Sequence, residues 1–283
     1  MSENLKMQFL GSELREGENN EDSARFHVIP CPLEKTVSYG SGTAQGPQAL
    51  IEASWELERS SVCEQGIFTQ DSIDCSISHE ECLGQLYQRT KSLVIQNKVP
   101  ITLGGEHSLS WAAVQGVGDA LGEKIGILQF DAHADLRNCY MGEVHSHASV
   151  MNLLVKEGHS LASFGVRALC GEERISRKDH GVFFIDGEEL VRSDVRTVTL
   201  PKDFPRHVYL SFDLDGLDPS IMPAVGTPVP GGLGFYQAID LVESVLEGRK
   251  CVGMDIVELA PIQNDLVSPY TAACLLQRFL SFV

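Results

Sequence analysis

The sequence predicts an α/β fold in which helices cover both faces of a mainly parallel sheet. Short runs rich in β-branched and apolar residues alternate along the chain with longer amphipathic stretches, and parallel sheets with crossover helices have this order. Several of the runs, such as 125–131 and 207–215, are apolar almost throughout. Strands that are covered on both faces have this composition.

The elements follow one another in a regular order. The predicted strands are residues 25–30, 66–73, 100–103, 125–131, 160–167, 181–186, 207–215 and 250–258. The predicted helices are residues 78–97, 108–121, 147–157, 234–248 and 269–282. At the start of the first helix, Ser78 and Glu81 have the spacing of a capping box.

We expect the chain to form one domain and not two. Although 283 residues exceed a prior of roughly 150 residues per domain, α/β folds of roughly 200–250 residues or more often form one domain. No internal repeat or Pro/Gly-rich linker divides the sequence. We expect residues 1–24 to form an N-terminal arm, partly flexible, and residues 25–283 to form the single functional domain.

The charge balance excludes some function classes. Asp and Glu number 39 against 22 Lys and Arg, which gives a net charge of −17. Phosphate backbones require a basic face, so nucleic acid is not an expected partner. An acidic field attracts metal ions and small basic substrates instead.

The cysteines and the N-terminus predict the cellular setting. None of the eight cysteines forms a C-x-x-C pair, so zinc ribbons and iron–sulfur clusters have no support. No segment resembles a signal peptide or approaches the roughly 20 apolar residues of a membrane span. We therefore expect a cytoplasmic protein with free thiols and no membrane partner.

Charged side chains follow four of the predicted strands. In a parallel α/β sheet, ligands bind beyond the carboxyl ends of the strands. In extended backbone, residues two apart face the same side, so D-x-H-x-D and D-x-D segments can each aim their side chains at one point. The glycines at 104 and 105 permit a tight turn that brings His107 close to the same point. The predicted metal ligands are His107, Asp131, His133, Asp135, Asp213 and Asp215.

Their chemistry favours two hard cations. Four carboxylates roughly neutralise two divalent ions, whereas without metal the cluster would repel itself. Oxygen-rich ligation with two imidazoles and no thiolate favours manganese-type ions over structural zinc, so we expect two Mn²⁺ per subunit. An EF-hand is disfavoured, because D-x-D-G-x-D follows a strand here and no helix–loop–helix surrounds it.

At these residues the sequence resembles the ureohydrolase family, which contains the arginases and agmatinases. Five segments match the family signature in order: LGGEHSLS (103–110), FDAHADLR (130–137), HSHAS (145–149), SFDLDGLDPS (211–220) and DIVELAP (255–261). The segments SYGSGTAQGPQALIEAS (38–54) and VGTPVPGGL (225–233) also look like family motifs. The match covers roughly residues 25–282.

The resemblance implies an arginase-like, three-layer α/β/α catalytic domain over residues 25–283, often assembled into homo-trimers or hexamers. It implies that Asp131 and Asp213 bridge both manganese ions. His147 aligns with the histidine that passes a proton to the departing amine, and a histidine near neutral pKa suits that role. His145 is the alternative. Glu258 aligns with the carboxylate that binds the guanidinium, and such a pair can form two parallel hydrogen bonds.

The resemblance also suggests the substrate. The loop 135–143 looks more like agmatinases than arginases, which predicts hydrolysis of agmatine, a small cationic guanidino compound, to putrescine and urea. Asn138, Tyr140 and Thr227 are predicted to contact the substrate. Asn138 and Cys139 stand where many agmatinase-like chains are acidic; Glu143 could compensate for this, and Arg137 could favour a carboxylate.

Other activities stay open. Guanidinobutyrate, another guanidino acid, arginine and formiminoglutamate are alternative substrates within the family. A non-catalytic metal-binding protein on the same fold is an alternative from a different class. Because every expected ligand and Glu258 are present in the sequence, the catalytic interpretation is favoured.

Overall fold

A computed structural model of the protein describes residues 8–283 and contains one sheet of eight strands. The strands are β1 Phe26–Cys31, β2 Ile67–Thr69, β3 Val99–Gly104, β4 Gly126–Phe130, β5 Ser160–Phe164, β6 Phe183–Ile185, β7 His207–Asp213 and β8 Lys250–Val257. All pairs are parallel, and their order is β2-β1-β3-β8-β7-β4-β5-β6. Each predicted strand and the parallel sheet are confirmed.

Helices connect the strands. They are α1 Gly46–Ala53, α2 His79–Ile95, α3 Leu109–Leu121, α4 Val150–Lys156, α5 Gly171–Asp179, α6 Gly187–Arg192, α7 Phe235–Leu246 and α8 Val267–Leu280. The five predicted helices correspond to α2, α3, α4, α7 and α8. The capping box at Ser78 and Glu81 is present at the start of α2. The sequence analysis missed α1, α5 and α6, which are short.

The sheet lies between two helical layers. Along β4, Leu128 and Phe130 pack into a hydrophobic cluster with α7 and α8, whereas Ile127 packs into a second cluster with α2, α3 and α4. Alternate side chains of a strand face opposite sides of a sheet, so the two clusters lie on its two faces. The three-layer α/β/α arrangement is confirmed.

Aromatic packing anchors the end of β4. The fully buried Phe130 ring stacks between Phe164 at 5.0 Å and Phe212 at 5.5 Å. Burial of one such side chain contributes about 3 kcal/mol. Because Asp131 is the next residue, this packing fixes the point from which the predicted ligand segment leaves the sheet.

The strand order brings the predicted site together. β3, β8, β7 and β4 are direct neighbours, and these are the four strands that charged residues follow. After β3 the chain passes over β8 and β7 before it enters β4. After β4 the chain continues outward to β5, whereas after β7 it turns back to β8. Parallel α/β sheets form a ligand crevice at such a reversal.

The described part of the predicted arm packs on the domain. Phe9 and Leu10 are fully buried in the same cluster as β1, and the Phe9 amide donates to Thr69 Oγ1 at 2.9 Å. Residues 1–7 lie outside the described residues, and the boundary at residue 24 stays a prediction. Within residues 8–283, no helix has both the length and the apolar character that a bilayer crossing demands.

Candidate active site

A cavity of about 410 Å³ opens at the carboxyl ends of β3, β8, β7 and β4. The predicted site residues that line it are His107, His133, Asp135, Tyr140, His147, Asp213, Asp215, Thr227 and Glu258. Asp131 is fully buried and lies against the histidines of this wall. Separate strand ends therefore bring the six predicted metal ligands to one place.

His107 lies among three carboxylates. Its Nδ1 is 3.2 Å from Asp131 Oδ2, 3.0 Å from Asp135 Oδ2 and 3.3 Å from Asp213 Oδ2. This nitrogen is buried and has no hydrogen-bond partner among residues 8–283. A buried nitrogen without a hydrogen bond that faces carboxylate oxygens is the arrangement expected of a metal ligand.

A hydrogen-bonded chain behind His107 sets its tautomer. Ser211 Oγ donates to Asp255 Oδ1 at 2.8 Å, and His107 Nε2 lies 2.8 Å from the same Ser211 oxygen. Because the hydroxyl proton points to Asp255, Nε2 is the donor to Ser211. Although burial opposes it, the neighbouring carboxylates raise the pKa of His107, and a cation bound there would take the place of the Nδ1 proton.

His133 completes a second group. Its Nδ1 lies 2.9 Å from Asp215 Oδ2 and 3.6 Å from Asp131 Oδ1. Two sets of ligand atoms each lie within 4.8 Å of one another: His107, Asp131 and Asp135 in one, and Asp131, His133 and Asp215 in the other. Asp131 belongs to both sets, so the geometry fits two adjacent cations that share this carboxylate.

The extended backbone expected from the sequence is present at Asp213 but does not continue beyond it. β4 ends at Phe130, and a 3₁₀ turn over Leu214–Gly216 follows β7. Asp135 has φ 52° and Glu258 has φ 67°. Non-glycine residues in this left-handed region cost of order 1–3 kcal/mol and cluster at functional sites.

The strained backbone at Asp135 and Glu258 is held by hydrogen bonds. The Asp135 carbonyl accepts from the amides of Met151 and Asn152 at the start of α4, each at 3.1 Å. The Glu258 amide donates to the Gly105 carbonyl at 2.9 Å. These hydrogen bonds connect the segments after β4 and β8 to neighbouring elements. They therefore stabilise the left-handed backbone conformations of both residues.

The buried carboxylates of the cluster repel one another, which favours the binding of cations. Burial and the neighbouring Asp131 raise the pKa of Asp135 to about 7, and burial raises the pKa of Asp213 well above its usual value. Burial acts to lower the pKa of His133, but Asp131 and Asp215 outweigh it and raise that pKa to about 12. Bound cations would remove this repulsion between buried carboxylates.

Glu258 is tied to the same cluster. Its Oε1 accepts the His107 backbone N–H at 2.7 Å, and burial raises its pKa to about 8. The carboxylate lines the cavity, where a planar cation such as a guanidinium can reach it.

His147 is held by Glu106 through Thr36. Thr36 Oγ1 donates to Glu106 Oε1 at 2.8 Å, lies 3.3 Å from His147 Nδ1 and accepts the His147 amide at 3.1 Å. The ring of Tyr140 packs edge-on at 5.4 Å. Burial lowers the pKa of His147, so its ring is neutral at neutral pH and can accept a proton. Ser38 Oγ is 3.5 Å from Nε2.

Other predicted residues differ in position. Asn138 is exposed and does not line the cavity; its side chain bonds Glu172, and its Oδ1 accepts from Lys156 Nζ at 2.6 Å. A substrate contact for Asn138 therefore gains no support from the structure. His145, the alternative to His147, packs edge-on against Trp111 at 4.7 Å.

Arg137 and Tyr140 of this loop line the cavity, as does Thr227, whereas Glu143 does not. The Arg137 guanidinium lies over the Tyr140 ring at 5.2 Å, and both residues line the cavity. Thr227 Oγ1 donates to Asp215 Oδ2 at 3.3 Å. Glu143 is exposed, and its carboxylate accepts the His145 amide at 3.0 Å.

The sequence analysis missed four polar residues that support the site, three of them buried and Arg167 half-buried. Glu106, Ser211 and Asp255 hold His147 and His107 as described. Arg167 donates to the carbonyls of five residues around the 3₁₀ turn, namely Gly165, Asp215, Gly216, Leu217 and Val229. Polar side chains inside apolar strands, such as Ser211 in β7 and Asp255 in β8, were the signal that could have identified two of them.

The chain is similar to known proteins over a range that includes all the site residues. A model of the Arginase family matches residues 24–281. The N(1)-aminopropylagmatine ureohydrolase of Synechocystis sp. is 32% identical over 273 residues, which cover 90% of this chain and 88% of that protein. The N(1)-aminopropylagmatine ureohydrolase of Thermus thermophilus is 36% identical over 248 residues, which cover 85% and 84%.

A solved structure shows the same similarity. The crystal structure of agmatine ureohydrolase of Thermoplasma volcanium superposes with a TM-score of 0.82 at 30% identity, and the match covers 96% of this chain and 94% of that one.

Proposed function

Since this chain belongs to the Arginase family, we propose that it is a manganese ureohydrolase of N(1)-aminopropylagmatine or agmatine. It would release urea from the guanidinium end and leave an amine. The observation that carries the proposal is the pair of ligand sets that share Asp131. The homo-oligomer and the cytoplasmic setting stay predictions of the same proposal.

The residues fit two hard cations. His107, Asp131, Asp135 and Asp213 would hold one ion, and Asp131, His133, Asp213 and Asp215 the other. The unpartnered His107 Nδ1 and the buried carboxylates support this assignment, because carboxylate oxygen with imidazole and no thiolate suits manganese. When bound, two such ions activate water for attack at neutral pH.

The protein side chains would orient the substrate. A guanidinium carbon is a poor electrophile because resonance spreads its charge, so its position must be fixed. The Glu258 carboxylate lies beside the His107 amide and can pair with two guanidinium N–H groups. Binding a cation there favours the charged carboxylate and opposes the effect of burial on its pKa.

His147 would handle the proton of the leaving group. The amine departs only when protonated, and a buried neutral imidazole can take up a proton and deliver it. Its Nδ1 side faces Thr36, which leaves Nε2 for the substrate. Tyr140 limits the motion of the ring.

The rest of the cavity suits a cationic tail. The names of the two relatives at 32% and 36% identity support N(1)-aminopropylagmatine ahead of agmatine, and the name of the Thermoplasma structure supports agmatine. The buried Glu173, whose carboxylate accepts the Leu136 and Cys170 amides, is among the residues that line the cavity, and the net charge of −17 attracts polyamines.

A guanidino acid such as guanidinobutyrate is the second candidate. Arg137 lines the cavity, and its guanidinium could pair with a carboxylate at the far end of such a substrate. The contact with Tyr140 keeps it near the cavity mouth.

The test is urea release by the manganese-loaded enzyme from N(1)-aminopropylagmatine, agmatine, guanidinobutyrate and arginine. Formiminoglutamate would release formamide and is assayed for that product. We expect the highest kcat/KM with N(1)-aminopropylagmatine. The Asp131→Asn variant should hydrolyse none of these compounds. If no compound is hydrolysed although manganese binds, the ureohydrolase proposal is wrong.

A further inference from the structure

Three cysteines from separate segments meet outside the cavity. Cys31 ends β1, Cys75 lies in the loop after β2, and Cys82 lies in the first turns of α2. The Sγ atoms of Cys75 and Cys82 are 3.0 Å apart, and those of Cys31 and Cys75 are 4.0 Å apart. All three sulfurs lie within 4.8 Å of one another, and none of these residues lines the cavity.

The spacing matches a shared ion. Zinc–sulfur bonds are about 2.3 Å, so two sulfurs on one tetrahedral ion lie about 3.8 Å apart. The observed separations of 3.0 and 4.0 Å bracket that value. A disulfide would use only two sulfurs and would leave the third without a role.

The surroundings favour thiolates. The positive charge of Lys35 acts on Cys82, which lies near the N-terminus of a 17-residue helix. Positive charge and a nearby helix N-terminus both stabilise a thiolate, which is the form of cysteine that binds metals.

We propose that Cys31, Cys75 and Cys82 form a separate sulfur-ligated site for a thiophilic divalent cation such as Zn²⁺. Three metal–sulfur bonds form, and each thiol that binds the ion releases its proton to solvent, with no change of oxidation state. The hard oxygen-rich cluster in the cavity and this soft cluster select different metals. Cys31 and Cys82 are fully buried, and the half-buried Cys75 gives the ion access.

A metal at this site would stabilise the segment that contacts His147. The backbone after Cys31 reaches Glu106, whose amide donates to the Leu33 carbonyl at 2.8 Å. Glu106 in turn accepts from Thr36. A metal that joins the end of β1 to the start of α2 therefore stabilises the segment that carries Thr36.

The experiment uses the full-length reduced protein, first loaded with manganese and then titrated with Cd²⁺. Cadmium–thiolate bonds give a near-ultraviolet charge-transfer band that oxygen and nitrogen ligands do not give. We expect one cadmium per subunit with this band. Cys75→Ser should weaken cadmium binding by more than about 10-fold, because even changes behind metal ligands cost about 10 to 100-fold.

Cys274→Ser is the control, since Cys274 is also half-buried but lies in α8; it should leave the titration unchanged. Cys75 is chosen because its partial exposure lets the variant fold, which circular dichroism checks. A missing charge-transfer band, or equal affinity in Cys75→Ser, overturns the proposal. So does a reduced protein that binds no cadmium but forms a Cys75–Cys82 disulfide with hydrogen peroxide.

Discussion

Single polar residues inside the apolar strands determine how the site is presented. Ser211 and Asp255 lie within β7 and β8, where apolar side chains would otherwise pack. Burying these polar side chains costs free energy, which is offset by their hydrogen bonds to each other and to His107. The sequence identified His107 from its position after a Gly-Gly turn, but not the partners that orient it.

Replacing Ser211 tests that orientation. We expect Ser211→Ala to weaken manganese binding by about 10 to 100-fold, because loss of groups behind a ligand has that effect. Titration calorimetry with Mn²⁺ measures it. Ser244→Ala, which changes a half-buried serine in α7, should bind manganese normally. An unaltered affinity in Ser211→Ala would show that His107 needs no such support.

Glu258 is predicted to bind substrate and not metal. Glu258→Gln keeps an oxygen that can accept the His107 amide but removes the charge. A hydrogen bond to a charged group contributes about 1.5–3 kcal/mol, so kcat/KM should fall by about 10 to 100-fold, with a raised KM and a lower kcat. Steady-state kinetics and metal analysis of the same preparation measure both. If manganese is lost, Glu258 is a ligand.

At the scale of elements, length and apolarity decided what could be predicted. Most strands were identified because they are buried on both faces and apolar, although the edge strand β6 is only partly buried. Helix α5 was missed because GEERISRKD is mostly charged and has little apolar periodicity, and α6 spans only 6 residues. Tertiary contacts stabilise such short helices, and a local pattern does not reveal them.

The junction of β4 and β5 gives a pH dependence. His159 Nδ1 accepts the Ile125 amide at 3.2 Å, and burial lowers the His159 pKa from 6.5 to about 4. As pH falls below 6.5, the unfolded chain takes up a proton that the folded chain does not. His159 therefore lowers the free energy of unfolding by roughly 1.4 kcal/mol for each pH unit between these two values.

His159→Asn should reduce this loss, since the asparagine oxygen can replace Nδ1 as acceptor and does not titrate. Between pH 7 and pH 5, the stability of the variant relative to the original protein should rise by about 1 to 2 kcal/mol. Urea unfolding at both pH values measures the difference. A constant difference would mean that His159 has a similar pKa in the folded and unfolded chains.

For the whole molecule, parallel strands explain why the site was predictable. Their carboxyl ends meet at one edge, so charged residues after separate strands were expected to converge, and they do. The order of the sheet was not predictable, because the crossover from β3 to β4 passes two strands that come much later in the chain. The left-handed conformations of Asp135 and Glu258 also depend on contacts that no local pattern encodes.

Anomalous diffraction from crystals soaked in manganese tests the central claim most directly. The account predicts two manganese peaks per subunit, roughly 3.5–4 Å apart, with Asp131 bonded to both. Peaks on other surfaces of the molecule, or a single peak that Asp131 does not contact, would contradict it.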